Sequence, residues 1–164
     1  MKCIHSDNSK SIISNIDSEM IQPNAVDLRV QDIFKITSDI FVIDSKNNKV
    51  HRGSQKIEPV NNFWVLEPGS YEIITNHDVT IAKDEAGYVI TRSTFIRNGC
   101  FLTSGLYDSG FSGRVGCLLV VTTGRLKIER GTRIGQFILQ DAECVAIYKG
   151  SYGSGKEFDS IRYN

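Results

Sequence analysis

Apolar residues in this chain come in short runs separated by turn-forming pairs. The runs are Phe41–Ile43, Phe63–Leu66, Tyr71–Ile74, Val79–Ala82, Tyr88–Thr91, Cys117–Val121, Phe137–Leu139 and Val145–Tyr148. All are rich in β-branched and aromatic side chains, which suit a pleated, half-buried surface. Asn47-Asn48, Pro68-Gly69, Asn98-Gly99, Ser109-Gly110, Thr123-Gly124 and Arg130-Gly131 punctuate them. Many short strands at roughly 8–12-residue spacing predict an all-β sandwich or barrel. One segment has a different period. Apolar residues at 12, 13, 16 and 20 predict a short amphipathic N-terminal helix over residues 9–20.

With 164 residues and neither internal repeat nor linker, the chain reads as a single domain, 1–164. Lys+Arg and Asp+Glu are both 19, which argues against a nucleic-acid polymer as partner but leaves room for a single nucleotide. No apolar run approaches the length of a membrane span, and Met1 to Lys10 lacks a signal-peptide core, so a cytoplasmic protein with no membrane partner is expected. Cys3, Cys100, Cys117 and Cys144 are far apart and form no CxxC pair, so zinc is not expected and the thiols read as reduced. His5, His51 and His77 are scattered and read as surface or loop residues. Gly150 to Lys156 holds three glycines and two serines, the composition of a flexible arm extending over 150–164.

Five segments carry candidate chemistry. In Thr91–Arg97, the forks of Arg92 and Arg97 and the hydroxyls of Ser93 and Thr94 suit phosphate oxygens, or else form a solvated turn. In Gly105–Gly113, Asp108 sits between large side chains and a Gly-rich turn. Its carboxylate could orient and deprotonate a water beside a flat ligand, or simply make a hairpin turn. Gln136 enters a strand from the Arg130-Gly131 turn and could donate to a phosphate or to buried backbone. Asp27, in Asn24–Arg29, reads as structural, pairing with an arginine or holding a loop. Lys156 and the amides of the Gly-rich tail could close over a phosphate, although the spacing is not that of a Walker A loop.

Taken in order, IQPNAVDLR (21–29), LEPGSYEI (66–73), AGYVITRSTFIRNG (86–99), GLYDSGFSGRV (105–115) and ERGTRIGQFIL (129–139) resemble the dUTPase / dCTP deaminase superfamily. The layout is nearer the deaminase-like branch. The resemblance implies a distorted β-barrel or β-clip, a homotrimer with shared active sites, and a deoxynucleoside triphosphate bound with Mg²⁺ held through its phosphates, not by protein ligands. It implies that Arg92, Ser93, Thr94 and Arg97 lie in the phosphate motif and that Gln136 reaches a phosphate. Residues 103–111, with Thr103, Gly105 and Tyr107, would receive the pyrimidine. Asp108 would hold the attacking water and Phe111 would pack on the deoxyribose. Tyr152, Ser154 and Lys156 would close over the site.

The family performs two reactions with different needs. Deamination at C4 of cytosine requires an acid–base group beside the ring. The deaminase branch supplies a glutamate that aligns here with Leu118, and residues 115–124 contain no acid. Hydrolysis of dUTP to dUMP and pyrophosphate needs mainly positioning and charge neutralisation, with Asp108 as base. The expectation is therefore a dUTP diphosphatase. The rivals are a mono- or bifunctional dCTP deaminase, told by ammonia release from dCTP, and a non-catalytic nucleotide-binding regulator.

Overall fold

A computed structural model describes Ile4, residues 8–156 and Asp159. Cys3, His5 and the last residues of the arm lie outside the described residues. Among the described residues, thirteen strands follow in chain order. They are β1 (Ile12–Ile13), β2 (Ile21–Gln22), β3 (Ala25–Ile36), β4 (Val42–Ile43), β5 (Lys49–Val50), β6 (Ser54–Lys56) and β7 (Phe63–Leu66), then β8 (Gly69–Thr80), β9 (Glu85–Thr91), β10 (Cys100–Thr103), β11 (Ser112–Val121), β12 (Leu126–Glu129) and β13 (Arg133–Asp141). An α-helix, α1 (Ser93–Arg97), joins β9 to β10.

The main sheet runs in the order β10-β11-β8-β3-β13-β9. Its two ends meet through one hydroxyl. Thr91 Oγ1 on β9 donates to the Leu102 carbonyl at 2.8 Å and accepts from the Leu102 amide at 2.7 Å on β10. The sheet is thus nearly closed, and each terminal strand has its edge groups partly satisfied. The long strand β3 makes the turn possible. Val26 to Arg29 pair with β13, Val30 to Lys35 pair with β8, and a register shift between Val30 and Asp32 bends the strand between the two halves.

The core divides accordingly. Met20, Leu28, Tyr107, Phe111 and Phe137 belong to one cluster, and Ile33, Trp64, Ile73, Leu119 and Ile134 to the other. Strict alternation along β11 sends Val115, Cys117, Leu119 and Val121 inward, leaving Gly116 and Leu118 on the opposite face. Among the described residues, no helix is long and apolar enough to cross a membrane.

Three local expectations are corrected. The segment 9–20 is not a helix: Ile12–Ile13 pair with β8, and only Ser18–Met20 form a 3-10 turn capped by Asp17. The Ser11 amide and hydroxyl are held by the buried Glu85 carboxylate, which draws the chain out extended. Val145–Tyr148 joins no ladder; its main tie is the Tyr148 amide donating to the Ser109 carbonyl at 2.9 Å. His77 is not a surface residue but completely buried on β8.

Candidate active site

The segment between β10 and β11 is fixed from several sides. The Tyr107 amide donates to the Gly87 carbonyl at 2.7 Å and its carbonyl accepts from the Gly87 amide at 3.0 Å. The Tyr107 hydroxyl donates to the Gly116 carbonyl at 2.7 Å, and burial pushes its pKa up. The buried Ser109 hydroxyl donates to the Glu85 carbonyl. Gly110 has φ +85°, a conformation that suits glycine, and its amide donates to the Ile81 carbonyl. The result is a rigid turn, closed by the Phe111 amide donating to the Asp108 carbonyl at 3.0 Å.

Asp108 is exposed on this turn. No hydrogen bond or ion pair engages its carboxylate among the described residues. Tyr107 and Phe111 flank it and point inward, edge to face at 5.0 Å. Phe111 is only 6% exposed and packs on Tyr148 as well, so little of its ring is available to a sugar. A cavity of about 600 Å³ opens beside them, lined by Thr103, Gly105, Tyr107, Phe111, Leu118 and Tyr152 among others. That is room for a nucleoside. Asp108 does not line it, but stands on the turn that forms its wall.

A second cluster centres on Asp27, which is 1% exposed on β3. Strand register places Gln136 of β13 directly opposite. Gln136 Nε2 donates to Asp27 Oδ1 at 3.1 Å. Arg92 Nε lies 3.7 Å from the same oxygen, and Arg133 Nη1 lies 3.4 Å from Oδ2. Arg92 also donates to the Arg133 carbonyl at 3.0 Å. Arg92 occupies the N-cap of α1 in extended conformation, so its side chain turns back to the sheet. Ser93, Thr94 and Arg97 remain exposed on the helix. The cluster is a fork of cations with one buried counter-charge, an arrangement suited to an anion.

The two clusters are not one site within the chain: none of Arg92, Ser93, Thr94, Arg97 and Gln136 lines the 600 Å³ cavity. The arm reaches the cavity through Tyr152. The Ser154 amide donates to the Ser112 carbonyl at 2.8 Å and the Lys156 amide to Gly153 at 3.0 Å, and neither residue lines the cavity.

A family profile described as dCTP deaminase-like matches residues 2–142. The chain belongs to this dCTP deaminase-like family. A protein of Aeropyrum pernix named probable deoxyuridine 5'-triphosphate nucleotidohydrolase is 30% identical, over 86% of this chain and 89% of its own. The deoxyuridine 5'-triphosphate nucleotidohydrolase of Methanocaldococcus jannaschii is 32% identical, over 91% and 97%. In fold, the chain is similar to the 2'-deoxycytidine 5'-triphosphate deaminase of Agrobacterium tumefaciens, with TM-score 0.61 at 17% identity, over 81% of this chain and 44% of that one.

Within this dCTP deaminase-like chain, three contributors escaped the sequence reading. Arg133 lies in a turn, Tyr148 ends a run that reads as a strand, and Glu72 lies within an apolar run. The signal for Glu72 was its alternation: it is the polar member between inward-facing Tyr71 and Ile73.

Proposed function

We propose that this protein is a dUTP diphosphatase, hydrolysing dUTP to dUMP and pyrophosphate in sites shared between the subunits of a homotrimer. One observation carries the reading: Asp108 presents an exposed carboxylate, without a hydrogen bond or ion pair among the described residues, on a rigid turn whose inner side walls a nucleoside-sized cavity. A general base needs both fixity and access to water. Sequence relatives named deoxyuridine triphosphate nucleotidohydrolases support the same substrate.

In the reaction, the base occupies the cavity beside Thr103, Gly105 and Tyr107. Asp108 orients a water toward the α-phosphorus and takes its proton. The water oxygen bonds to phosphorus, and the bond to the bridging oxygen of pyrophosphate breaks. Arg92 and Gln136 neutralise and position the triphosphate, with Ser93, Thr94 and Arg97 within the same motif. Because that cluster does not line the cavity of its own chain, it would serve a neighbour's, which is the basis for proposing shared sites. The arm, through Tyr152, Ser154 and Lys156, would shield the bound nucleotide.

Among the described residues, no group of three or more His, Cys, Asp or Glu is placed to cage a metal. Mg²⁺ would be held through the triphosphate oxygens and water and not by protein ligands. When bound, Mg²⁺ would lower the charge on the phosphates.

The deciding experiment is Asp108→Asn. Turnover of dUTP should drop by about 10³-fold or more while nucleotide affinity stays within a few-fold. Unchanged turnover would remove Asp108 from the mechanism.

A further inference from the structure

Tyr148 ties the turn that carries Asp108 to the arm that reaches the cavity, and it does so with three separate groups. Its amide donates to the Ser109 carbonyl at 2.9 Å, one residue from the base. Its ring packs edge to face on Phe111, centroids 5.4 Å apart, and Phe111 packs in the same way on Tyr107 at 5.0 Å. Its hydroxyl oxygen accepts the Tyr152 amide at 3.2 Å. Tyr107, Phe111, Tyr148 and Tyr152 all line the cavity. The half-buried Tyr148 is thus a wall of the pocket as well as its fastening.

Two glycines make room for this joint. A Cβ on Gly110 would collide with Ile147 Cγ2, so residues 147 and 148 lie flush against the turn. A Cβ on Gly150 would collide with the Tyr148 hydroxyl, so the chain wraps back across the edge of that ring on its way to Tyr152. The β4–β5 hairpin holds Tyr152 in its turn. Lys49 Nζ lies over the Tyr152 ring, 5.5 Å from its centroid, and the His51 ring meets it at 6.5 Å, edge-on. The other fastenings of the Asp108 turn, at Gly87, Glu85 and Ile81, all come from the barrel. Tyr148 is where the arm takes hold of it.

We propose that Tyr148 is a positioning residue for the hydrolysis, setting Tyr152 against the bound nucleotide through its hydroxyl and setting the Asp108 turn through its ring and amide. The proposal rests on the reading of Asp108 as the base. The two roles act on different steps. A misplaced Tyr152 weakens contact with the nucleotide in ground state and transition state alike, which raises KM. A misplaced turn moves the carboxylate relative to its water, and a shift of about 1 Å at such a group can cost about 100-fold in rate.

The test compares wild type with Tyr148→Phe and Tyr148→Leu, using dUTP kinetics with Mg²⁺ and amide hydrogen exchange of the full chain without nucleotide. Tyr148→Phe removes the hydroxyl and keeps ring and amide. It should raise KM several-fold with kcat within about 2-fold, and speed exchange in the 149–156 peptide by about 5-fold, the loss of one hydrogen bond. Tyr148→Leu fills the space but removes the edge-to-face contact with Phe111 as well. It should also lower kcat by about 10-fold and speed exchange in the 107–112 peptide, which carries the Gly110 and Phe111 amides. Tyr148→Phe with unchanged KM and unchanged exchange in the arm overturns the proposal. So does Tyr148→Leu that lowers the melting temperature while kcat holds, because the ring would then serve stability alone. If wild type fails to hydrolyse dUTP while the two variants still loosen the arm and the turn as described, the diphosphatase reading fails and the joint stands.

Discussion

Asp27 meets polar side chains from three directions: Gln136 and Arg133 from β13, Arg92 from the N-cap of α1, and Gln22 from β2 at 3.4 Å. It is a positioning residue, holding guanidinium groups where an anion can reach them. Asp27→Asn keeps the shape and removes the charge. We expect a loss of about 1.5–3 kcal/mol in stability, the worth of a hydrogen bond to a charged group. We expect KM for dUTP to rise by about 10-fold with kcat less affected, because the forks lose alignment rather than the base its proton acceptor. Urea denaturation and steady-state kinetics check both. His77 makes a second residue-scale prediction. Its Nδ1 donates to the Ser14 carbonyl at 2.9 Å and its Nε2 accepts the Arg29 amide at 3.0 Å, so the ring is held neutral. Burial lowers its pKa below 6.5, and the charges of Arg29 and Arg114 add to this. Below pH 6.5 the unfolded chain binds a proton the folded one resists. Its contribution is therefore complete above that pH and is lost as pH falls toward the depressed folded value. The melting temperature should drop on acidification from pH 7.5 to pH 5, and His77→Gln should flatten that drop.

At the scale of elements, the arm is held by its backbone. Gly153 lies against Gly113, where a Cβ would come within 2.7 Å of the Gly153 Cα. Gly113→Ala should therefore lift the arm from β11 and break the bond between Ser154 and Ser112. Trypsin should then cut at the exposed Lys149 several-fold faster, with KM for dUTP raised and the melting temperature little changed. The core strands were legible from composition because their apolar runs alternate cleanly. The strand β3 was not, because Asp27, Arg29, Gln31, Asp32 and Lys35 interrupt it. Those polar residues are spent on ion pairs and on partners in neighbouring strands: Arg29 with Asp17, and Asp32 with Lys56 and Arg130. The 9–20 segment failed in the opposite sense. Its helical spacing was real, but the ladder to β8 and the buried Glu85 gave its backbone better partners than a lone turn could. The segments quoted for the family did mark the Asp27–Arg92–Gln136 cluster and the Asp108 turn. Arg133 and Glu72 needed register, which places residues far apart in sequence side by side.

For the whole molecule, the separation of the two clusters has a direct consequence. A protomer offers a cavity walled by the turn that carries Asp108 and, outside that cavity, a cationic fork. Ile90, Ile96 and Leu106 leave apolar surface exposed along a cleft bordered by α1 and β10. Such a patch beside the Thr103–Leu106 wall suits a contact with a second copy. If sites are shared, two dead variants should rescue each other. Asp108→Asn supplies an intact Arg92, and Arg92→Ala supplies an intact Asp108. Denatured together and refolded as an equal mixture, they should regain about one quarter of wild-type activity, since half of the sites draw Asp108 from the right chain and half of those draw Arg92 from the right neighbour. Each variant refolded alone stays inactive, and sedimentation should report three chain masses. No rescue in correctly sized mixed trimers would place Arg92 and Asp108 in the same protomer's site. The shared-site proposal would then fall even with diphosphatase activity intact.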